Sequence, residues 1–264
     1  MKSLFTLFVC ILPGLMFGQK SYKQLLDDSP RHHEWVAVKN GDRTIHCFVV
    51  YPEVSDQATT LLMIHENRGL NDWARVMADQ IAAKGYIVIA PDLLSGAGPH
   101  GGKTSDFPTT DDARNAIYQL DASIITEDLK AIEDYASKIA ASNGKLALAG
   151  FCWGGSQTFR HATNSESIAA AFVFYGTGPK EAEAYQRIKA PVYGFYGGND
   201  NRVNSTIEFS KNQMKATNNV YEAAIFDGAG HAFMRRGMSP AGGQANVIAR
   251  EAAFERLTEL LTTL

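Results

Sequence analysis

The sequence predicts a doubly wound α/β domain, a mostly parallel β-sheet covered by helices on both faces and entered through an antiparallel N-terminal hairpin. Three observations carry this reading. Short apolar runs alternate with segments of helical period along most of the chain. Runs such as Ile87-Val88-Ile89-Ala90 and Ala170-Ala171-Phe172-Val173-Phe174 are apolar on both faces, as strands buried from both sides must be. The first two candidate strands are joined by Asn40-Gly41-Asp42, whose Asn-Gly pair suits the left-handed backbone of a tight hairpin turn.

The elements follow in chain order. Residues 34–39 and 44–51 form the hairpin, 60–65 a strand, 73–84 a helix, 86–90 a strand, 123–141 a helix and 145–149 a strand. The alternation continues over 157–161, 168–175, 182–187, 192–196, 205–216 and 221–226, and ends in a helix near 246–261. There is no internal repeat, low-complexity tract or linker, so one folded unit is expected. The chain has 264 residues, 45% of them hydrophobic, which suffices for one domain with a sizeable core.

Lys and Arg number 25 against 28 Asp and Glu, without long runs of either sign. That balance leaves no electrostatic footprint for nucleic acid or an anionic membrane. At the N-terminus, Met1-Lys2 leads into an apolar stretch over residues 4–17, then Gly18 and polar Gln19-Lys20-Ser21. This reads as a secretory signal over residues 1–18, leaving 19–264 as a single domain exported to periplasm or medium. The apolar run is shorter than the ~20 residues of a membrane span and is broken by Pro13 and Gly14, so no stable span is expected after cleavage. Val9, ahead of Cys10, is not the small residue that lipid attachment requires. Of the two cysteines left, Cys47 lies in an apolar strand run and is expected to be buried there; a bridge to Cys152 is the alternative.

Ligands of such sheets bind beyond the carboxyl ends of the strands. Directly after the 145–149 strand stands Gly150-Phe151-Cys152-Trp153-Gly154, a nucleophile elbow with cysteine in place of serine, leading into a helix near Gly155. The turn is so sharp that the positions two before and two after the nucleophile need glycine. It also sets Cys152 at a helix N-terminus, where the dipole favours a thiolate. A free thiol, with a pKa of ~8.5, needs a base to react quickly at neutral pH. His231, in Gly228-Ala229-Gly230-His231, follows a predicted strand and supplies one, and Asp200, in Gly197-Gly198-Asn199-Asp200, follows another and can hold the imidazole. The order nucleophile, acid, histidine is that of the α/β-hydrolase fold.

These segments, together with Gly230-His231-Ala232-Phe233, resemble the dienelactone hydrolase family over residues 61–233 or so. The resemblance implies an α/β-hydrolase that cuts an ester or lactone through Cys152, His231 and Asp200 by way of a thioester. It also implies that Glu66 contacts the resting thiol and takes part in its activation; the alternatives are that Glu66 pairs with Arg68 or caps the helix near Asp72. The oxyanion hole is expected from the backbone N–H groups of Trp153 and Asn67. Of the two arginines with which the family's type member reads a substrate carboxylate, one is matched by Arg235, while the stretch after Pro91-Asp92-Leu93 offers none. Arg235 therefore marks an anionic or polar substrate, or is a solvated charge. Tyr175 is a lesser pocket candidate. No cofactor or metal is expected, and the chain is expected to be a monomer or weak dimer. Two other functions compete: a thiol redox protein using Cys152, and a catalytically silent binding protein.

Some signals are rejected. Gly96-Ala97-Gly98-Pro99-His100-Gly101 matches a dinucleotide fingerprint in form, but contains proline, sits away from its strand and opens no helix. Gly101-Gly102-Lys103-Thr104 lacks the first glycine of a phosphate loop, and residues 95–110 read better as a mobile rim. His32-His33-Glu34 and His65-Glu66 lack metal-ligand spacing and read as surface or supporting histidines.

Overall fold

A computed structural model describes residues 20–264; the stretch read as a secretory signal over residues 1–18, with Cys10 in it, lies outside the described residues. The chain opens with a short helix, α1 (Tyr22–Asp27), that composition did not suggest, although Ser21 and Gln24 cap it reciprocally. Strands β1 (His32–Asn40) and β2 (Arg43–Tyr51) then pair antiparallel, and the turn between them has Gly41 at φ 56°. Next come β3 (Ala58–Ile64), α2 (Asp72–Ala82), β4 (Ile87–Asp92), α3 (Thr110–Ile117), α4 (Ala122–Ala136), β5 (Ser142–Phe151) and α5 (Trp153–Ala162). Strands β6 (Ile168–Phe174), β7 (Val192–Gly197) and β8 (Tyr221–Phe226) alternate with α6 (Asn201–Asn204), α7 (Ile207–Ala216), α8 (Phe233–Arg236) and α9 (Gln244–Thr262). The eight strands form one sheet in the order β1-β2-β4-β3-β5-β6-β7-β8, parallel from β4 to β8.

Successive side chains of a strand point to opposite faces, so a strand apolar at every position feeds two cores. In β3, Leu61 and Met63 join a cluster under α2 and α9, while Leu62 and Ile64 join one under α4, α5 and α7. Trp73, Met77 and Ile81, four apart, form the buried stripe of α2. The Trp73 ring meets Phe151 edge-on at 5.6 Å. Asn71 caps that helix by accepting from the Ala74 N–H at 3.1 Å, and the chain leaves it through Gly85 at φ 97°. Each such apolar side chain, fully buried, contributes roughly 1.5–3 kcal/mol.

Several boundaries differ from the sequence reading. Helix α4 stops at Ala136 rather than near 141, because the chain must turn back for β5 to start at Ser142. Residues 182–187 form a 3-10 helix. Helices α3, α6 and α8 were not anticipated; α3 is mostly polar, and α6 and α8 are single turns too short to show a helical period. The rim over 95–110 is tied back to the sheet, since the buried Asp92 carboxylate accepts from the Thr104 N–H at 2.9 Å and the Thr104 hydroxyl at 2.7 Å.

Candidate active site

Cys152 sits between β5 and α5 with φ 56° and ψ −116°, a conformation that costs an L-residue energy and persists only where surroundings impose it. The surroundings are two close approaches. A Cβ on Gly150 would lie 2.2 Å from the Gly154 carbonyl oxygen, and one on Gly154 would lie 2.3 Å from that of His65. Only glycine fits at either position. The helix starts at Trp153, two residues earlier than the sequence reading, so the Trp153 N–H falls in its unpaired first turn.

Three other loops converge on the sulfur. His231 follows β8 and Asp200 follows β7, and the two loops are stitched together: the Asn199 N–H donates to Ala229 O at 2.9 Å and the Asn199 side-chain amide to Gly228 O at 3.0 Å. The result aligns acid, imidazole and thiol. His231 Nδ1 is 2.5 Å from Asp200 Oδ2, and Nε2 is 3.1 Å from Cys152 Sγ. Because a carboxylate only accepts, Nδ1 carries the proton in the neutral ring, which leaves Nε2 free to accept from the thiol. Backbone N–H groups of Trp153 and Asn67 also lie within hydrogen-bonding reach of the sulfur.

Glu66, buried after β3, behaves differently from either of its sequence-based alternatives. Its Oε2 accepts from Arg235 Nε at 2.8 Å and its Oε1 from the Tyr175 hydroxyl at 3.2 Å. It neither pairs with Arg68 nor caps α2, a role that Asn71 takes. Nor does it hydrogen-bond the thiol, whose partner is His231; its negative charge reaches the sulfur only through space. Arg235 is accordingly an ion-paired residue of the pocket rather than a solvated charge.

Tyr175 corrects the sequence reading further. With 0% exposure it cannot face a ligand. It holds Glu66 by its hydroxyl, and its ring meets His231 edge-on at 5.2 Å and Phe233 at the same distance, so it buttresses the site from behind at a strained φ of 41°.

Electrostatics favour a protonated resting thiol. Burial, and then the Glu66 charge, push the Cys152 pKa above its ordinary value; the Trp153 and Asn67 N–H groups and Arg202 oppose them but do not prevail. The thiolate expected from the helix N-terminus therefore has to be made by proton transfer. His65 lies one layer out, its ring stacked 5.7 Å from Trp153 and its Nδ1 2.8 Å from Glu66 O, and burial lowers its pKa. His33 is engaged by Asp79 at 2.8 Å, away from this site.

The pocket above the sulfur has a volume of about 160 Å³ and includes Glu66, Asn67, Cys152, His231 and Arg235 in its walls. Four further wall residues, Arg68, Thr110, Asp111 and Arg114, were not singled out for the pocket by sequence reading, and Asp111 and Arg114 face each other as an ion pair at 3.2 Å. Three of them ride on α3, whose only local signal is Thr109, which accepts from the Asp112 N–H.

Comparison with known proteins places the chain among hydrolases. An Escherichia coli (strain K12) protein named "Putative carboxymethylenebutenolidase" is 28% identical over 193 residues, covering 69% of this chain and 70% of that protein. The carboxymethylenebutenolidase of Pseudomonas putida is 26% identical over 86% of this chain and 97% of its own length. A crystal structure titled "Putative Dienelactone Hydrolase", from Klebsiella pneumoniae, superposes with a TM-score of 0.76 at 19% identity, covering 89% of this chain and 99% of that one, which shows the shared fold. Residues 45–264, most of the chain, match the dienelactone hydrolase family, and the chain belongs to that family.

Proposed function

We propose that the protein hydrolyses a carboxylic ester or lactone with Cys152 as nucleophile, His231 as acid and base, and Asp200 as the group that orients the imidazole. Membership of a hydrolase family supports the reaction class. The observation that carries the residue assignment is the line from Asp200 Oδ2 through His231 to Cys152 Sγ, at 2.5 Å and 3.1 Å.

The steps follow from that line. His231 Nε2 takes the thiol proton as sulfur attacks the carbonyl carbon, and Asp200 stabilises the imidazolium. Negative charge on the carbonyl oxygen falls to the Trp153 and Asn67 N–H groups, a pair of donors already aimed at that space. The intermediate collapses to a thioester as His231 returns its proton to the leaving alkoxide. Water, deprotonated by His231, then attacks the thioester and frees the acid. An anionic substrate fits Arg235, whose Nε is engaged by Glu66 in the resting site; a carboxylate competing for Arg235 would loosen Glu66.

Among the described residues the thiol redox reading lacks a resolving partner. Cys47 is buried in β2, and β4 and β3 lie between β2 and β5. Three strand spacings amount to roughly 14 Å, far beyond the Cα separation that a disulfide spans. Export through residues 1–18 is also our proposal, supported by their charge and apolar pattern; N-terminal sequencing of the protein recovered from its host tests it, and a mature chain starting at Met1 refutes it.

The decisive experiment on the chemistry replaces Cys152 with alanine. Ester turnover should vanish while the circular dichroism spectrum is unchanged, and the parent should show an acyl mass increment on the peptide holding Cys152 after brief exposure to 4-nitrophenyl acetate. Turnover at the parental rate in C152A refutes the assignment.

A further inference from the structure

The catalytic pocket is the smaller of two adjoining recesses. Beside it lies a cavity of about 560 Å³, against about 160 Å³ for the pocket over the sulfur. Small-ligand sites occupy roughly 300–1,000 Å³, so the larger recess is of the right size and the smaller one is not. Arg68 and Thr110 line both, which makes them a shared wall. Arg68 directly follows Asn67, the backbone donor assigned to the oxyanion, so whatever extends from the carbonyl past Asn67 meets Arg68 next.

The cavity wall mixes apolar and polar side chains, with Arg68, Arg75 and Lys103 among them. Trp35, Leu70 and Phe107 supply the apolar surface. Among the charged groups, Arg75 is neutralised by Asp72. Buried Asp92 has both oxygens engaged, by Thr104 and by the Leu94 N–H. Arg68 and Lys103 form no ion pair among the described residues, and the Lys103 ammonium rests over the Trp35 ring at 5.7 Å. Fully exposed Asp106 lies near Lys103, but its Oδ2 is engaged by the Lys103 backbone N–H at 2.8 Å. Arg68 lacks an ion pair among the described residues, and the Lys103 ammonium lies over Trp35 beside exposed Asp106. These two cations, on a wall that also holds Leu70 and Phe107 and next to the proposed ester-cleaving centre, suit a molecule with an apolar stem and an anionic end.

We propose that this cavity is a second subsite which holds the far end of an elongated ester, its apolar stem against Trp35, Leu70 and Phe107 and its terminal carboxylate at Lys103 and Arg68. The inference rests on the hydrolase reading for the reaction, but not for the binding.

Two esters of equal acyl length test it: the 4-nitrophenyl half-ester of suberic acid, which ends in a carboxylate, and 4-nitrophenyl octanoate, which does not. Lys103→Gln keeps the backbone contact to Asp106 while removing the charge. It should lower the ratio of kcat/KM for suberate over octanoate about fivefold, through KM, the size expected for one partly exposed ion pair; Lys103→Glu should lower it further. A ratio unchanged in both variants overturns the proposal. If the protein cleaves neither ester, the hydrolase reading fails and calorimetric titration with suberate still reads the subsite: about fivefold weaker binding in Lys103→Gln upholds it, while equal or undetectable binding in parent and variant overturns it.

Discussion

Two of the carboxylate–imidazole pairs among the described residues invite comparison, and only one of the two is placed to do chemistry. Asp200 and His231 meet at 2.5 Å beyond the carboxyl ends of β7 and β8; Glu133 and His161 meet at 2.8 Å where α4 packs beside α5. By residue type and distance they are nearly equivalent. They differ in what the second nitrogen meets. Nε2 of His231 faces a sulfur at 3.1 Å and a pocket, with 32% of the side chain exposed. Nδ1 of His161 has no hydrogen-bond partner among the described residues, and the side chain is 0% exposed. Glu133 is further committed to Ser165 and Ser167. An acid holding a histidine is thus a structural brace until a nucleophile and an opening to solvent are added.

The strongest way to break this comparison is to remove each imidazole in turn. His231→Asn should lower kcat about 10⁴-fold on a short aryl ester, the scale of loss when a triad loses its base. His161→Asn should leave kcat within about twofold and act on stability alone, since deleting one buried hydrogen-bond partner costs about 1–3 kcal/mol. Parallel loss of activity in both variants, with both folded, would erase the distinction.

Acid titration sharpens it next. Burial alone would raise the Glu133 pKa, but hydrogen bonds from His161 and Ser167 outweigh it and hold the carboxyl below its ordinary value. A carboxyl with a depressed folded-state pKa stabilises the protein above its unfolded pKa of roughly 4.3, and that contribution is lost as pH falls through the lower folded value. Glu133→Gln should therefore lower Tm at pH 7 and flatten its fall below about pH 4. A variant whose Tm tracks the parent's at every pH would show the brace to be idle.

The smallest effect concerns the thiol. Glu66 raises the Cys152 pKa through its charge, second to burial. Glu66→Gln keeps an acceptor for Tyr175 and removes the charge, so alkylation of Cys152 by iodoacetamide at pH 7 should speed up several-fold, with the rate's midpoint moving to lower pH. An unchanged midpoint means that burial alone sets the thiol.

Much of this was legible before any coordinates, and the reasons are local. The elbow is a contiguous string whose glycines are demanded by contacts within the turn and with the strand beside it, and apolar runs on both strand faces announce a sheet covered twice. Other features were hidden because their partners are remote in the chain. Glu66 meets Arg235 and Tyr175, 169 and 109 residues away, where adjacency had suggested Arg68. Tyr175, at a strand's carboxyl end, turns inward through its left-handed backbone instead of facing the pocket.

The sequence by itself determined the layered sheet, the place of the cysteine in a strained turn and the order of the candidate triad, because periodicity and turn chemistry act between residues a few positions apart. Only the tertiary structure decided that the three loops meet over the sulfur, that burial and the Glu66 charge raise the Cys152 pKa, and that a larger cavity adjoins the small one. Those outcomes depend on burial and on charges brought together from distant segments, and neither is encoded at any single stretch of chain.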